Sequence, residues 1–104
     1  MTMLFQLTMF PSDKRKTSVS ESVAKVINLI DKSGLRYRMG PMSTTIEGNW
    51  DEVMALIDRA RKLLRRRHDR VYISITIDDR KGARRRITGK VESVEKRLGR
   101  KVSH

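Results

Sequence analysis

The chain contains no cysteine, so neither a disulfide framework nor a thiolate metal site is open to it. Aromatic residues are scarce: two phenylalanines, two tyrosines and one tryptophan in 104 residues. That is thin material for a surface that reads nucleic-acid bases by stacking. There are two histidines, and with His104 at the very end they cannot build a metal cluster by themselves. No apolar run approaches the roughly 20 residues that a bilayer-spanning helix needs. The opening MTMLFQLTMFP lacks the basic start and small-residue cleavage site of a secretory leader. These absences predict a cytoplasmic protein with no membrane partner. Acidic residues are also in short supply, 12 against 24 lysines and arginines, which leaves a net charge of +12. Such a charge favours anionic partners at long range: nucleic acid, acidic lipid or phosphorylated metabolites. A solvated, arginine-rich surface is the plainer account of it.

What is present suits one modest core. Hydrophobic residues make up 38% of the chain and charged residues 35%. Residues 1–104 are therefore read as a single domain with little apolar surface to spare, for which oligomerisation is a natural remedy.

Met3 to Phe10 alternates, with Met3, Phe5, Leu7 and Met9 on one face and Leu4, Gln6, Thr8 and Phe10 on the other, which predicts a strand. Ser18-Val-Ser-Glu21 fits a capping box, and behind it Val19, Val23, Val26, Ile27 and Ile30 recur at helical spacing until Lys32 and Gly34 end the run. Leu35 to Arg38 and Met42 to Glu47 flank Gly40-Pro41 and read as a hairpin. Asn49 is placed to cap a second helix, whose inner stripe is Val53, Leu56, Ile57, Ala60, Leu63 and Leu64 and whose end is Arg65-Arg-Arg67. Arg70 to Ile77 alternates strictly, and a last helix carries Ile87, Val91, Val94 and Leu98 before Gly99. The order β-α-β-β-α-β plus a helix predicts an α+β, ferredoxin-like sandwich, with a four-stranded antiparallel sheet and both main helices on one face. The other face would carry Leu4, Gln6, Thr8, Phe10, Tyr72, Ser74 and Thr76. It is too polar for an ordinary core, so it either meets another subunit or lines a ligand site.

Several spaced blocks carry a family resemblance: Ser33-Gly-Leu-Arg-Tyr37, Gly40-Pro-Met42, Thr44-Thr-Ile-Glu-Gly48 and Asp51-Glu-Val53. Ser18-Val-Ser20, Arg70-Val71, Ile77-Asp-Asp-Arg80 and Lys90-Val-Glu-Ser-Val94 agree in the same order. Together they resemble the YkoF-like thiamine-binding family. The resemblance implies homodimers or homotetramers joined through the sheets. It also implies binding of thiamine, its phosphates or its hydroxymethylpyrimidine part, without catalysis and with no cofactor beyond that ligand.

An aminopyrimidine needs a polar partner for its ring edge and apolar walls for its faces. Under the resemblance, Glu47 would pair with the amine or a ring nitrogen and Thr44 would offer a hydroxyl. Otherwise Glu47 is a strand-end residue and Thr44 a β-former. Ser18 and Ser20 stand where helix N–H groups point outward, although capping alone explains Ser18. Tyr37 would stack on the ring or simply half-fill the strand, and Gln6 would read a ring edge or a neighbouring subunit. Met42 is read as packing. Asp78 and Asp79 point opposite ways in a strand, so a salt link to Arg80 or a cap for the last helix is expected. No partner for His68 is visible. Neither a Ser-His-Asp arrangement nor a glycine-rich phosphate loop nor a metal-ligand spacing is visible, so no enzyme is expected.

The alternative is non-specific nucleic-acid or other polyanion binding through Arg59, Lys62, Arg66, Arg84, Arg85 and Arg86. Against base readout, the third strand, Ser43-Thr-Thr-Ile-Glu47, has no aromatic. The positive charge further suggests that thiamine diphosphate is tolerated or preferred, with Lys14, Arg15 or Lys16 near its phosphates.

Overall fold

A computed structural model describes residues 2–13, 19–82 and 86–103. The chain runs β1 (Met3–Pro11), α1 (Val19–Lys32), β2 (Arg36–Met39), β3 (Thr44–Gly48), α2 (Trp50–Arg65), β4 (Val71–Asp78) and α3 (Arg86–Leu98). The strands form one sheet in the order β2-β3-β1-β4, antiparallel throughout. This is the ferredoxin-like arrangement. β1 lies centrally because its alternation buries Phe5, Leu7 and Met9 on one side, and it pairs with both β3 and β4.

α1 and α2 cover that side. Val26 and Ile30 of α1 join Val53, Leu56, Ile57, Ala60 and Leu64 of α2 over Phe5, Leu7, Met9 and Ile46. Each fully buried aliphatic or aromatic side chain contributes about 1.5–3 kcal/mol, so this layer anchors both helices. Asn49 caps α2 as its sequence predicts: its Oδ1 accepts the Glu52 N–H at 2.8 Å, and its amide donates to the Glu52 carboxylate at 2.8 Å. Just before it, the backbone of Gly48 passes so close to α2 that a Cβ there would lie 2.8 Å from Val53 Cγ2. Past the end of α1 the chain turns at Gly34, whose φ of 79° suits glycine.

α3 is attached differently. No residue of α3 is buried, and Val94 and Leu98 of its apolar stripe stay 45% and 50% exposed. It packs near β2 and β3 on the face opposite α1 and α2, where polar contacts hold its first turn. The Asp78 carboxylate pairs with the Arg86 guanidinium, and the Asp78 carbonyl accepts from the same group at 2.9 Å. Asp78 thus takes Arg86, at the start of α3, as its bonded partner, while the expected Arg80 contributes only through its nearby charge.

Two further expectations are corrected. His68 is only 3% exposed, and its Nδ1 lies 3.0 Å from Asp13 Oδ1 while Asp13 Oδ2 accepts the Asp69 N–H at 2.7 Å. The partner stands 55 positions away, beyond the reach of sequence spacing. Met42, read as packing, is 86% exposed at the hairpin tip. No helix among the described residues is long and apolar enough to cross a membrane.

Candidate functional site

The α1 stripe is wider than the core can use. Val26 and Ile30 go under the helix, whereas Val23 and Ile27 are half-buried and Val19 is exposed. This second row faces the edge strand β2 across a groove of about 650 Å³. Val19, Val23, Ala24, Ile27 and Met39 supply apolar walls, and Ser20, Asn28, Asp31 and Tyr37 supply polar groups. Ser20, Asn28 and Asp31 recur at intervals that keep them on one helical face. Across the groove, Tyr37 donates its hydroxyl to Asp31 Oδ1 at 2.8 Å. That bond to an anion, with burial and the carboxylate's charge, raises the Tyr37 pKa above its ordinary 10.0. A smaller hollow of about 260 Å³ shares Val19, Val23, Ile27 and Met39 with the groove and reaches Thr44 under the hairpin.

The opposite sheet face is organised by internal bonds. Glu47, 4% exposed, accepts the Thr2 hydroxyl at 2.6 Å, the Arg86 N–H at 3.0 Å and the Ile87 N–H at 3.5 Å. Burial pushes its carboxyl up, but these hydrogen bonds and nearby Arg36 outweigh that, and its pKa lies below the ordinary 4.5. Gln6 donates its amide to Ser43 Oγ at 2.9 Å, and Thr8 donates to the Met42 carbonyl at 3.1 Å. These bonds pin the hairpin tip over β1. Further along the same face, Phe10 and Tyr72 stack with ring centroids 5.0 Å apart.

A family model described as thiamine-binding protein matches residues 5–95. The chain belongs to that family. A UPF0045 protein of Methanothermobacter thermautotrophicus is 36% identical over 95 residues, which cover 89% of this chain and 96% of that one. The UPF0045 protein ECM15 of Eremothecium gossypii is 36% identical over 99 residues, 91% of each chain. Among solved structures, a hypothetical protein of Methanocaldococcus jannaschii superposes with a TM-score of 0.80 at 29% identity, covering 89% of this chain and 95% of its own. A structure from Thermotoga maritima, described as a candidate thiamine biosynthesis or salvage protein, has a TM-score of 0.78 at 24% identity and shares the fold. It covers 89% of this chain and 98% of its own. The resemblance seen in the spaced sequence blocks is borne out at the level of the family.

Within this thiamine-binding family member, the six residues singled out from the sequence do not converge. Ser20 and Tyr37 share the groove, and Thr44 lines the adjoining hollow. Glu47 and Gln6 lie on the other side of the sheet and are occupied in capping α3 and tying Ser43. Thr44 and Glu47 are three residues apart in one strand, so the period of two sends their side chains to opposite faces. Ser18 lies outside the described residues, as do Lys14, Arg15 and Lys16 of the suggested phosphate contact. Asn28, Asp31 and Met39 were missed. The signal that could have found them was the surplus of α1 apolar positions beside an edge strand.

Of the six cations considered for polyanion binding, Lys62 pairs with Asp58 at 3.0 Å and Arg86 with Asp78. Arg59 is exposed on α2 and Arg66 just beyond its end, and Arg84 and Arg85 lie outside the described residues.

Proposed function

We propose that the protein binds thiamine, its phosphates or its hydroxymethylpyrimidine half, without a chemical step, in the groove between α1 and β2. The carrying observation is the groove itself: apolar walls with Ser20, Asn28, Asp31 and Tyr37 set among them, about 650 Å³ in volume. Ligand sites of this size usually combine greasy faces with a few placed polar groups. Membership in a thiamine-binding family supplies the ligand class. Thr44 extends the polar lining where the adjoining hollow passes under the hairpin. On this reading Glu47 and Gln6 support the fold rather than touch the ligand, because the Glu47 carboxylate caps α3, the Gln6 amide ties Ser43, and both lie on the sheet face away from the groove.

The same reading takes the chain as a homodimer or homotetramer joined through the sheet face that α3 only partly covers. Tyr72, 51% exposed in its stack with Phe10, and the exposed Val94 and Leu98 of α3 support it. Sedimentation velocity on the wild type and Tyr72→Glu tests the assembly, and a wild-type monomer at high concentration overturns it.

For the ligand, titration calorimetry with thiamine should show saturable heat that Ala24→Phe abolishes. Ala24 is exposed in the groove, so a phenyl ring there fills the space without entering the core. Unchanged thiamine binding by this variant would exclude the groove.

A further inference from the structure

Asp31 stands in the last turn of α1, where the backbone carbonyls present the negative end of the helix dipole. A carboxylate at that place works against the helix, whereas its neighbour Lys32 works with it. Other carboxylates of this basic chain serve the fold visibly. Asp58 pairs with Arg61 and Lys62, Asp78 pairs with Arg86, Asp13 holds His68, and Glu47 caps α3. Asp31 has a phenol hydroxyl for its partner and no cation among the described residues. It also lines the apolar groove, which runs along α1 from Asp31 back past Ser20. At helical rise the two lie about 16 Å apart along the axis, room for two linked rings end to end.

We infer that Asp31 is the counter-ion of the groove, meeting the positive ring of a cationic two-ring ligand so that thiamine is taken in preference to its neutral pyrimidine half. The inference rests on the groove being the ligand site. Tyr37 has a positioning part: by donating to Oδ1 it holds the carboxylate against the β2 wall and leaves Oδ2 without a partner among the described residues. The net charge of +12 acts in the other direction, drawing anions from a distance, but that long-range pull is screened by salt. At contact, a groove carboxylate favours a cation over a diphosphate.

The experiment is calorimetric titration of the wild type, Asp31→Asn, Tyr37→Phe and Ala24→Phe with thiamine, hydroxymethylpyrimidine and thiamine diphosphate at low and high salt. Asp31→Asn is expected to weaken thiamine about fivefold at low salt, the upper range for a partly exposed ion pair, and to leave the neutral pyrimidine unchanged. The same substitution should raise diphosphate affinity relative to thiamine, and both effects should shrink at high salt. Tyr37→Phe keeps the charge and should preserve the thiamine-to-pyrimidine ratio. Asp31→Asn should melt no lower than the wild type, since it removes a carboxylate from a helix C-terminus. Equal weakening of thiamine and pyrimidine, or no change for thiamine, overturns the inference while the groove stands. Binding that survives Ala24→Phe overturns the groove and the inference together.

Discussion

Glu47 of β3 and Arg86 of α3 meet through a carboxylate that accepts a backbone N–H at 3.0 Å, across 39 positions of sequence. Helix N-termini usually find their cap in the residue just ahead of them. Here a strand side chain on the face that α3 covers supplies it, and the Ile87 N–H and the Thr2 hydroxyl share the same carboxylate. Because α3 buries no residue of its own, this bond set and the Arg86–Asp78 pair hold its first turn in place.

Glu47→Gln keeps the shape and removes the charge. Weakening charge-assisted bonds at a helix N-terminus should cost about 1–2 kcal/mol. Urea unfolding reads the loss, and hydrogen exchange should show faster exchange confined to residues 86–98. Slower or unchanged exchange there would assign the docking of α3 to its apolar stripe instead.

Acid should loosen the same junction. Hydrogen bonds and cations hold the Glu47 and Asp78 carboxyls below their ordinary values of 4.5 and 3.8. Carboxyls depressed in the folded state contribute stability that is present above the unfolded pKa and disappears as pH falls through the folded one. Stability should therefore be full at neutral pH, begin to fall near pH 4.5 and keep falling below it. In Glu47→Gln the slope of stability against pH between 5 and 3 should be shallower than in the wild type.

His68 ties the segment after β1 to the turn before β4. It is 3% exposed and bonded to Asp13, so His68→Ala leaves a cavity and strips the partner from a half-buried carboxylate. The expected cost is about 2–4 kcal/mol. A double-mutant cycle with Asp13→Asn should give a coupling of at least about 0.5 kcal/mol, and strict additivity would mean that the pair does not interact.

Gly48 is required by proximity rather than by its backbone angle. Gly48→Ala sets a methyl 2.8 Å from Val53 Cγ2 and 3.3 Å from Leu35, so it should destabilise by about 1–3 kcal/mol. Val53→Ala opens a cavity when made alone, yet in combination it should recover part of the glycine loss. A double variant as unstable as the sum of the two would show that the clash is not with Val53.

Much of the architecture was legible before any coordinates. The alternation of Met3 to Phe10 and of Val71 to Ile77, the Asn49 cap and the helical stripes each depend on neighbours within a few residues, and all recur in the structure. The α1 stripe was legible too, but not its division between core and groove, because that depends on where the edge of the sheet falls. Thr44 and Glu47 show a reading that sequence allowed and that was passed over: an odd separation in a strand already puts them on opposite faces.

Element type, element order and the family blocks were determined by the sequence itself, since backbone periodicity and capping are settled by local sterics and hydrogen bonding. Tertiary structure alone decided that Glu47 serves α3, that Gln6 ties down the hairpin, that His68 meets Asp13, and that Asp31 faces Tyr37 beside an apolar groove. Those relations join positions whose separation in the chain carries no periodic signal. They arise when packing the core brings distant polar groups together and each buried one must find a partner.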